Sequence, residues 1–369
     1  MTEPSEIFFQ ETNLSAGKLS RLANYFSWMV ITIAALAIIG WQFNVEFFKR
    51  PLPRLTAMNP MTAVLFILSG IALLLVENKE AKPSAKKAGH AIAIVIIILA
   101  TIRIIDILVA FDIPVDHVLF ARKLIEDSYE NISNSMVPIT AASFILAGIA
   151  LLWLHRTTKK GKIISQYMAM IVALLAIFSI IGYLYKVQVF YGIFVYFPMA
   201  VNSAICFLLL SVALLFSTSQ KGMMKELTGN LTGSVTARPL ITSALIIPII
   251  LGWLRLLGDW QNLFSVEFGT AILILAIIVV FLAIIWHNTV LLNRRDLQKQ
   301  AADHALKENE EQVKMIFDAA PDAVIVMDED GTIVKWNAKA ESMLGWKQNE
   351  VLGKILGEII IPERFPEAH

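Results

Sequence analysis

Eight apolar stretches, near residues 24–43, 60–76, 88–111, 136–154, 164–186, 196–217, 238–257 and 267–290, are each about as long as a helix needs to be to cross a bilayer. That pattern leaves a chain few structural options. In hydrocarbon, backbone donors and acceptors must be satisfied within their own segment, so each stretch reads as a helix and the whole as a polytopic membrane bundle. Composition agrees: 57% of residues are hydrophobic and 17% charged, against about half and a quarter in soluble domains. The net charge of +1 gives no field to attract nucleic acid. Cys206 is the single cysteine and lies in an apolar run, which excludes a disulfide framework or a cysteine metal site. Residues 1–23 are polar and mixed in charge; they read as a cytoplasmic tail, not a signal peptide.

Basic residues set the expected orientation. Lys79, Lys82, Lys86 and Lys87 follow the second stretch, Arg156, Lys159, Lys160 and Lys162 the fourth, Lys221 and Lys225 the sixth, and Arg294, Arg295 and Lys299 the eighth. The opposite loops are poorer in basic residues, although Lys49, Arg50 and Arg54 run against the trend. Both termini are therefore expected in the cytoplasm.

The membrane region repeats itself as a two-helix hairpin. Even-numbered helices begin alike: Thr62-Ala63 with Phe66 and Gly70, Thr140-Ala141 with Phe144 and Gly148, Ser203-Ala204 with Phe207 and Ser211, and at the last only Thr270-Ala271. Residues four apart share a helix face, and small residues there let backbones approach closely. Odd-numbered helices end alike, at Gly40-Trp41, Ile105-Asp106, Gly182-Tyr183 and Gly252-Trp253. Arg103 lies one turn from Asp106, so the two can pair; Lys186 and Arg255 lie near the same level. Two readings stand open. The aromatic residues are interface anchors and the charges a structural pair, or Trp41, Arg103, Asp106, Tyr183, Trp253 and Arg255 wall an outward-facing pocket for a small amphipathic or anionic ligand. His90, His155 and His287 sit near the cytoplasmic helix ends; a pair of them holding haem is the less favoured alternative to contacts with carbonyls and headgroups. No metal site, phosphate loop or nucleophile elbow is present, and Pro248 is expected to kink the seventh helix.

Beyond residue 290 the character changes. Residues 291–312 are charged and free of proline and glycine, and read as a helix continuing out of the last span. Then come Pro321-Asp322, an apolar run from Ala323 to Met327, Asp330-Gly331, the alternating Thr332-Ile333-Val334-Lys335-Trp336, and Asn337 before a short helix. This predicts a strand, a tight turn, a second strand and a capped helix. With Glu341, Gly345, Glu350-Val351-Leu352-Gly353 and Ile361-Pro362-Glu363-Arg364 in order, the segment from about 313 to 369 resembles the first half of a PAS domain. The family continues into a long helix and three further strands, which the sequence does not include, so no haem or flavin assignment carries over and the cofactor stays unknown.

The expected architecture is a mainly α chain: a tail (1–23), an eight-helix transmembrane sensory domain (24–290), a helical signalling linker (291–312) and half of an α+β PAS domain (313–369). The resemblance implies a bacterial inner-membrane sensor, homodimeric through linker and PAS region. It further implies an output domain of the histidine-kinase class, or a diguanylate cyclase in its place, answering an unidentified small-molecule or membrane stimulus. The chain itself carries no catalytic residues. A transporter or channel with a regulatory PAS segment, and a membrane anchor or scaffold, are the competing readings.

Overall fold

The computed structural model describes residues 4–52, 55–78, 81–109, 115–127, 134–158, 163–185, 199–229, 232–261, 263 and 265–360, with side chains described from residue 17 onward. It divides into two compact units, Met1–Ile284 and Ile285–His369.

The first unit is helical. Its elements are α1 (Pro4–Phe43), α2 (Glu46–Lys49), α3 (Pro60–Glu77), α4 (Pro83–Val109), α5 (Ala121–Glu126), α6 (Pro138–Leu152), α7 (Ile164–Leu184), α8 (Val201–Ser217), α9 (Gly222–Thr228), α10 (Thr232–Trp260) and the first part of α11 (Val266–Asp318). Pro60 and Pro138 open α3 and α6, where a missing N–H costs least. The stretch expected to be a polar tail is helical from Pro4 and continuous with α1. Helix α10 runs unbroken through Pro239 and Pro248.

Among the described residues, six helices are long and apolar enough to cross a membrane by themselves, and α8 with α9 makes a seventh, beside the eight apolar stretches of the sequence. All eight apolar stretches are helical, but two are short. Helix α6 has 15 residues, about 22 Å at 1.5 Å per residue, against a hydrocarbon core of about 30 Å. Helix α8 has 17 and reaches spanning length only together with α9, across a bend of 86°. Short helices are tolerable here because α3, α6 and α8 are the inner members of their hairpins. The irregular chain beyond their ends packs against protein, where a membrane allows it.

Six helices close a ring in chain order. Helix α1 packs on α3, α3 on α4, α4 on α6, α6 on α7, α7 on α8, and α8 returns to α1. Inside it α3, α6 and α8 meet one another. Phe66, Phe144 and Phe207, the repeat-related phenylalanines, form the centre: their ring centroids lie 4.7, 4.6 and 4.7 Å apart, tilted or edge-on, as ring quadrupoles favour. The repeated glycines act within hairpins. A Cβ at Gly70 would meet Ile31 Cγ1 at 2.6 Å, and one at Gly148 would meet Ile97 Cγ1 at 2.5 Å, with the facing backbone carbonyls of Ser27 and Ala93 just beyond.

The fourth hairpin stands outside the ring. Only 6% of the apolar window of α10 is buried, and the same share of α11. At the register of the three phenylalanines and of Gly70 and Gly148, α11 carries Ile274 and Ile278. It thus lacks both the central ring and the small residue that closes a hairpin. The ring has three repeats where the sequence suggests four.

The second unit contains the remainder of α11, an antiparallel pair β1 (Ile325–Met327) and β2 (Ile333–Trp336), and α12 (Ala338–Leu344), α13 (Gln348–Val351) and α14 (Leu356–Ile360). This is the predicted strand, turn, strand and helix. Ile325 pairs with Trp336 and Met327 with Ile333. Asp328 Oδ1 accepts from the amides of Asp330 and Thr332 and shapes the turn. Ile333, Trp336, Ala340 and Val351 form a small buried core.

Candidate functional site

Charged and polar side chains crowd into the end of the ring where α1 finishes and the inner helices begin. Lys49, Arg50, Asn59, Asp106, Asp116, Asn134 and Asn202 are all buried there. A short inner helix leaves room above it, and the chain that joins outer to inner helix within the first two hairpins folds into that room as a plug.

The first cluster centres on α2. Lys49 Nζ lies 2.8 Å from Glu46 Oε1 and 3.7 Å from Asp127 Oδ1, and stands 4.8 Å above the Trp41 ring, a cation–π contact in a desolvated setting. Arg50 pairs with Asp127 through Nη2 and with Glu46 through Nε at 3.1 Å. Asn134 donates to the Asp127 carboxylate and its carbonyl, and accepts from the Ala57 amide. Lys123 Nζ caps the end of α1, 2.8 Å from the carbonyls of both Trp41 and Gln42, where the helix dipole favours a cation.

The second cluster centres on Arg103. Its Nη1 pairs with Asp106, its Nη2 lies 3.2 Å from Asp116 Oδ2, and its Nε donates to the Met136 carbonyl at 3.1 Å. Asp116 Oδ2 also accepts from the Met136 amide at 2.8 Å, while its Oδ1 is buried without a hydrogen-bond partner among the described residues. Asn59 joins the clusters: its Nδ2 donates to the carbonyls of Asp116 and Asn134, and its Oδ1 caps α3. Asn202 adds the third hairpin, donating to the Lys49 carbonyl at 3.0 Å.

Within each hairpin of the ring, the tip of the outer helix holds the chain just before the inner helix. Trp41 Nε1 donates to the Met58 carbonyl at 2.8 Å, Arg103 Nε to that of Met136, and the Tyr183 hydroxyl to that of Met199 at 2.8 Å. Met58, Met136 and Met199 each stand four residues before Thr62, Thr140 and Ser203, and all three are buried. This repeated methionine escaped the sequence reading, although its register with the Thr/Ser-Ala starts was there to find. Three different side chains converge on one task because a carbonyl at a frayed helix start needs a donor.

Of the six residues expected to wall a pocket, the structure joins Trp41, Arg103 and Asp106 in one polar network. Tyr183 serves its own hairpin. Trp253 is 39% exposed on α10. Arg255 pairs with Asp259 at 3.2 Å and reaches the Val266 carbonyl, bracing the turn of the fourth hairpin. Lys186 lies outside the described residues.

Burial pushes the Asp127 carboxyl above its ordinary range, against the opposing pull of Arg50 and Lys49. A carboxyl raised in the folded state contributes stability that is complete below the unfolded pKa and is lost as pH rises through the folded one. Asp127→Asn should therefore match the wild type in acid. As pH climbs out of the carboxylate range, the wild type should fall behind, because desolvating the charge costs more than its partners return. Thermal unfolding of the two proteins across pH checks this; parallel curves would refute it.

In the second unit Asn337 holds the junction. Its Oδ1 accepts from the amides of Val324 and Ala340, and its Nδ2 donates to the carbonyls of Phe317 and Asp322. One buried side chain thereby ties the end of α11 to the start of β1 and caps α12. A groove of about 590 Å³ beside it is lined by Leu306, Val313 and Phe317 of α11, facing Lys335 and Gln348.

The profile of the PAS fold family matches residues 311–369, so the C-terminal segment is a PAS segment following an apolar helical bundle. Over 56 residues, 15% of this chain, the sequence is 39% identical to an uncharacterized protein of Azorhizobium caulinodans. The match covers 8% of that protein, so the chain spans under a tenth of the relative's length. No solved structure matches the chain.

Proposed function

We propose that the chain is the membrane-embedded input module of a bacterial signal-transduction protein of the inner membrane. It passes a stimulus to its PAS segment, and from there to an output domain of the histidine-kinase class. The observation that carries this reading is α11. It is a single helix of 53 residues that begins as an apolar span and ends at the PAS segment. A helix that runs from the apolar span to the PAS segment offers a path for a tilt or rotation.

In this reading the stimulus acts at the plug end; the Lys/Arg bias of the loops supports an exterior position for that end and cytoplasmic termini. Trp41, Arg103 and Asp106 are the core of the receiving network, with Tyr183, Trp253 and Arg255 at the corresponding level of the other hairpins. A small amphipathic or anionic ligand would compete for the buried cations there. It shifts the helix packing to the extent that it prefers one arrangement over another. Exposed Leu297 and Leu306 on the charged part of α11 fit a homodimer formed through this helix and the PAS segment.

Topology reporters on the full chain test the reading. Fusions after Lys160 and Leu297 should report cytoplasm, and a fusion near Asp127 should report the exterior. An external signal at Leu297 overturns both the orientation and the direction of signalling.

A further inference from the structure

We infer that Tyr185 is the pin that couples the closed ring to the fourth hairpin. Few residues of helix α10 are fully buried, yet polar contacts hold it at two levels. At one, Arg238 donates through Nε and Nη2 to the carbonyls of Leu227 and Gly229, at the end of α9. At the other, the Tyr185 hydroxyl donates to the Ile249 carbonyl at 3.0 Å.

The second contact is shaped on both sides. Gly252 lies one turn after Ile249 and opens a notch into which the tyrosine ring fits. A Cβ at residue 252 would overlap the Tyr185 hydroxyl and come within 2.8 Å of its Cζ. The preceding turn carries Pro248, which donates no N–H to the ladder, so this stretch of α10 is already short of one internal bond.

Tyr183 and Tyr185 divide the work at the end of α7. Two residues along a helix are about 200° apart, so they face different ways. Tyr183 turns inward to Met199 of its own hairpin, and Tyr185 turns outward to α10. A displacement of the α7 tip therefore reaches α10 through one hydrogen bond and one shaped notch. That such a displacement carries a signal rests on the sensory reading; the pin itself does not.

The experiment reads helix position and needs no stimulus. Spin labels are placed on cysteines introduced at Leu174 of α7 and Ile246 of α10, both exposed, in the full chain in lipid nanodiscs. Cys206 is buried and takes no label. The wild type should give one narrow distance distribution. Tyr185→Phe, which deletes only the hydroxyl, should broaden it. Gly252→Ala should shift it to longer distance by filling the notch. Tyr183→Phe, which breaks the inward bond to Met199 and leaves the Tyr185 bond in place, should leave it unchanged. Wild-type distributions for both Tyr185→Phe and Gly252→Ala overturn the pin, as does an equal change for Tyr183→Phe. If Gly252→Ala does not fold, Tyr185→Phe decides alone, since it removes the hydroxyl and keeps the ring.

Discussion

Asn337→Ala is expected to release the PAS segment from the end of α11 while leaving the membrane unit intact. The substitution strands two amides, Val324 and Ala340, and two carbonyls, Phe317 and Asp322, that the amide side chain now satisfies. An orphaned polar group costs about 1–3 kcal/mol where it is buried, as at Ala340, and less at the partly exposed Val324, Phe317 and Asp322. Some regain water once the junction loosens, so a net loss of about 3–5 kcal/mol is expected. The core of this unit is only Ile333, Trp336, Ala340 and Val351 with a few partly buried neighbours, and has little to set against such a loss. Asn337→Asp separates the two roles of the side chain. A carboxylate still accepts from Val324 and Ala340 and caps α12 well, but it faces the Phe317 and Asp322 carbonyls with no donor. The amides of β1 should then stay protected in hydrogen exchange while the end of α11 frays. If the alanine variant exchanges like the wild type throughout 317–340, the junction does not depend on Asn337.

Arg103→Ala should be the most damaging single change in the membrane unit. It removes the guanidinium that pairs with the buried carboxylates of Asp106 and Asp116, and frees the Met136 carbonyl. Breaking a buried pair from one side costs about 3–5 kcal/mol, because the remaining charge is uncompensated. The third hairpin keeps its own bond, from the Tyr183 hydroxyl to the Met199 carbonyl. The second hairpin should therefore loosen first, and the amides at the start of α6 should exchange early. Arg103→Lys keeps the charge but not the planar fork that reaches three partners at once, and should rescue only part of the loss. Adding Asp116→Asn to Arg103→Ala should recover some stability by removing a charge that no longer has a partner. Thermal unfolding in nanodiscs measures all three. An unfolding temperature unchanged in Arg103→Ala would show that the cluster is hydrated and contributes nothing to the fold.

Much of this was legible in the residues. Period and length marked the helices. The Thr/Ser-Ala-Phe-Gly repeat identified the faces that meet, and Arg103 and Asp106 were expected to pair, as they do. The strand, turn, strand and cap around Asp330-Gly331 and Asn337 followed from local chemistry, because a hairpin and a helix cap are decided within a few residues of themselves.

What the sequence could not supply was closure. A repeat seen four times suggested four equivalent hairpins, but whether a hairpin enters a ring depends on what its inner helix offers the centre. Phe66, Phe144 and Phe207 satisfy one another across helices far apart in sequence, and α11 has isoleucine at that register. Nor could it show that Lys49, Arg50 and Asp127 form one cluster, or that Asn59 ties it to Arg103. Those partners come from separate loops, which meet only because the inner helices stop short and leave a space to be filled. Local propensity and hydropathy act along the chain and can be read from it. The pairing of buried charges and the packing of a shared core act between segments, and only the assembled bundle decides them.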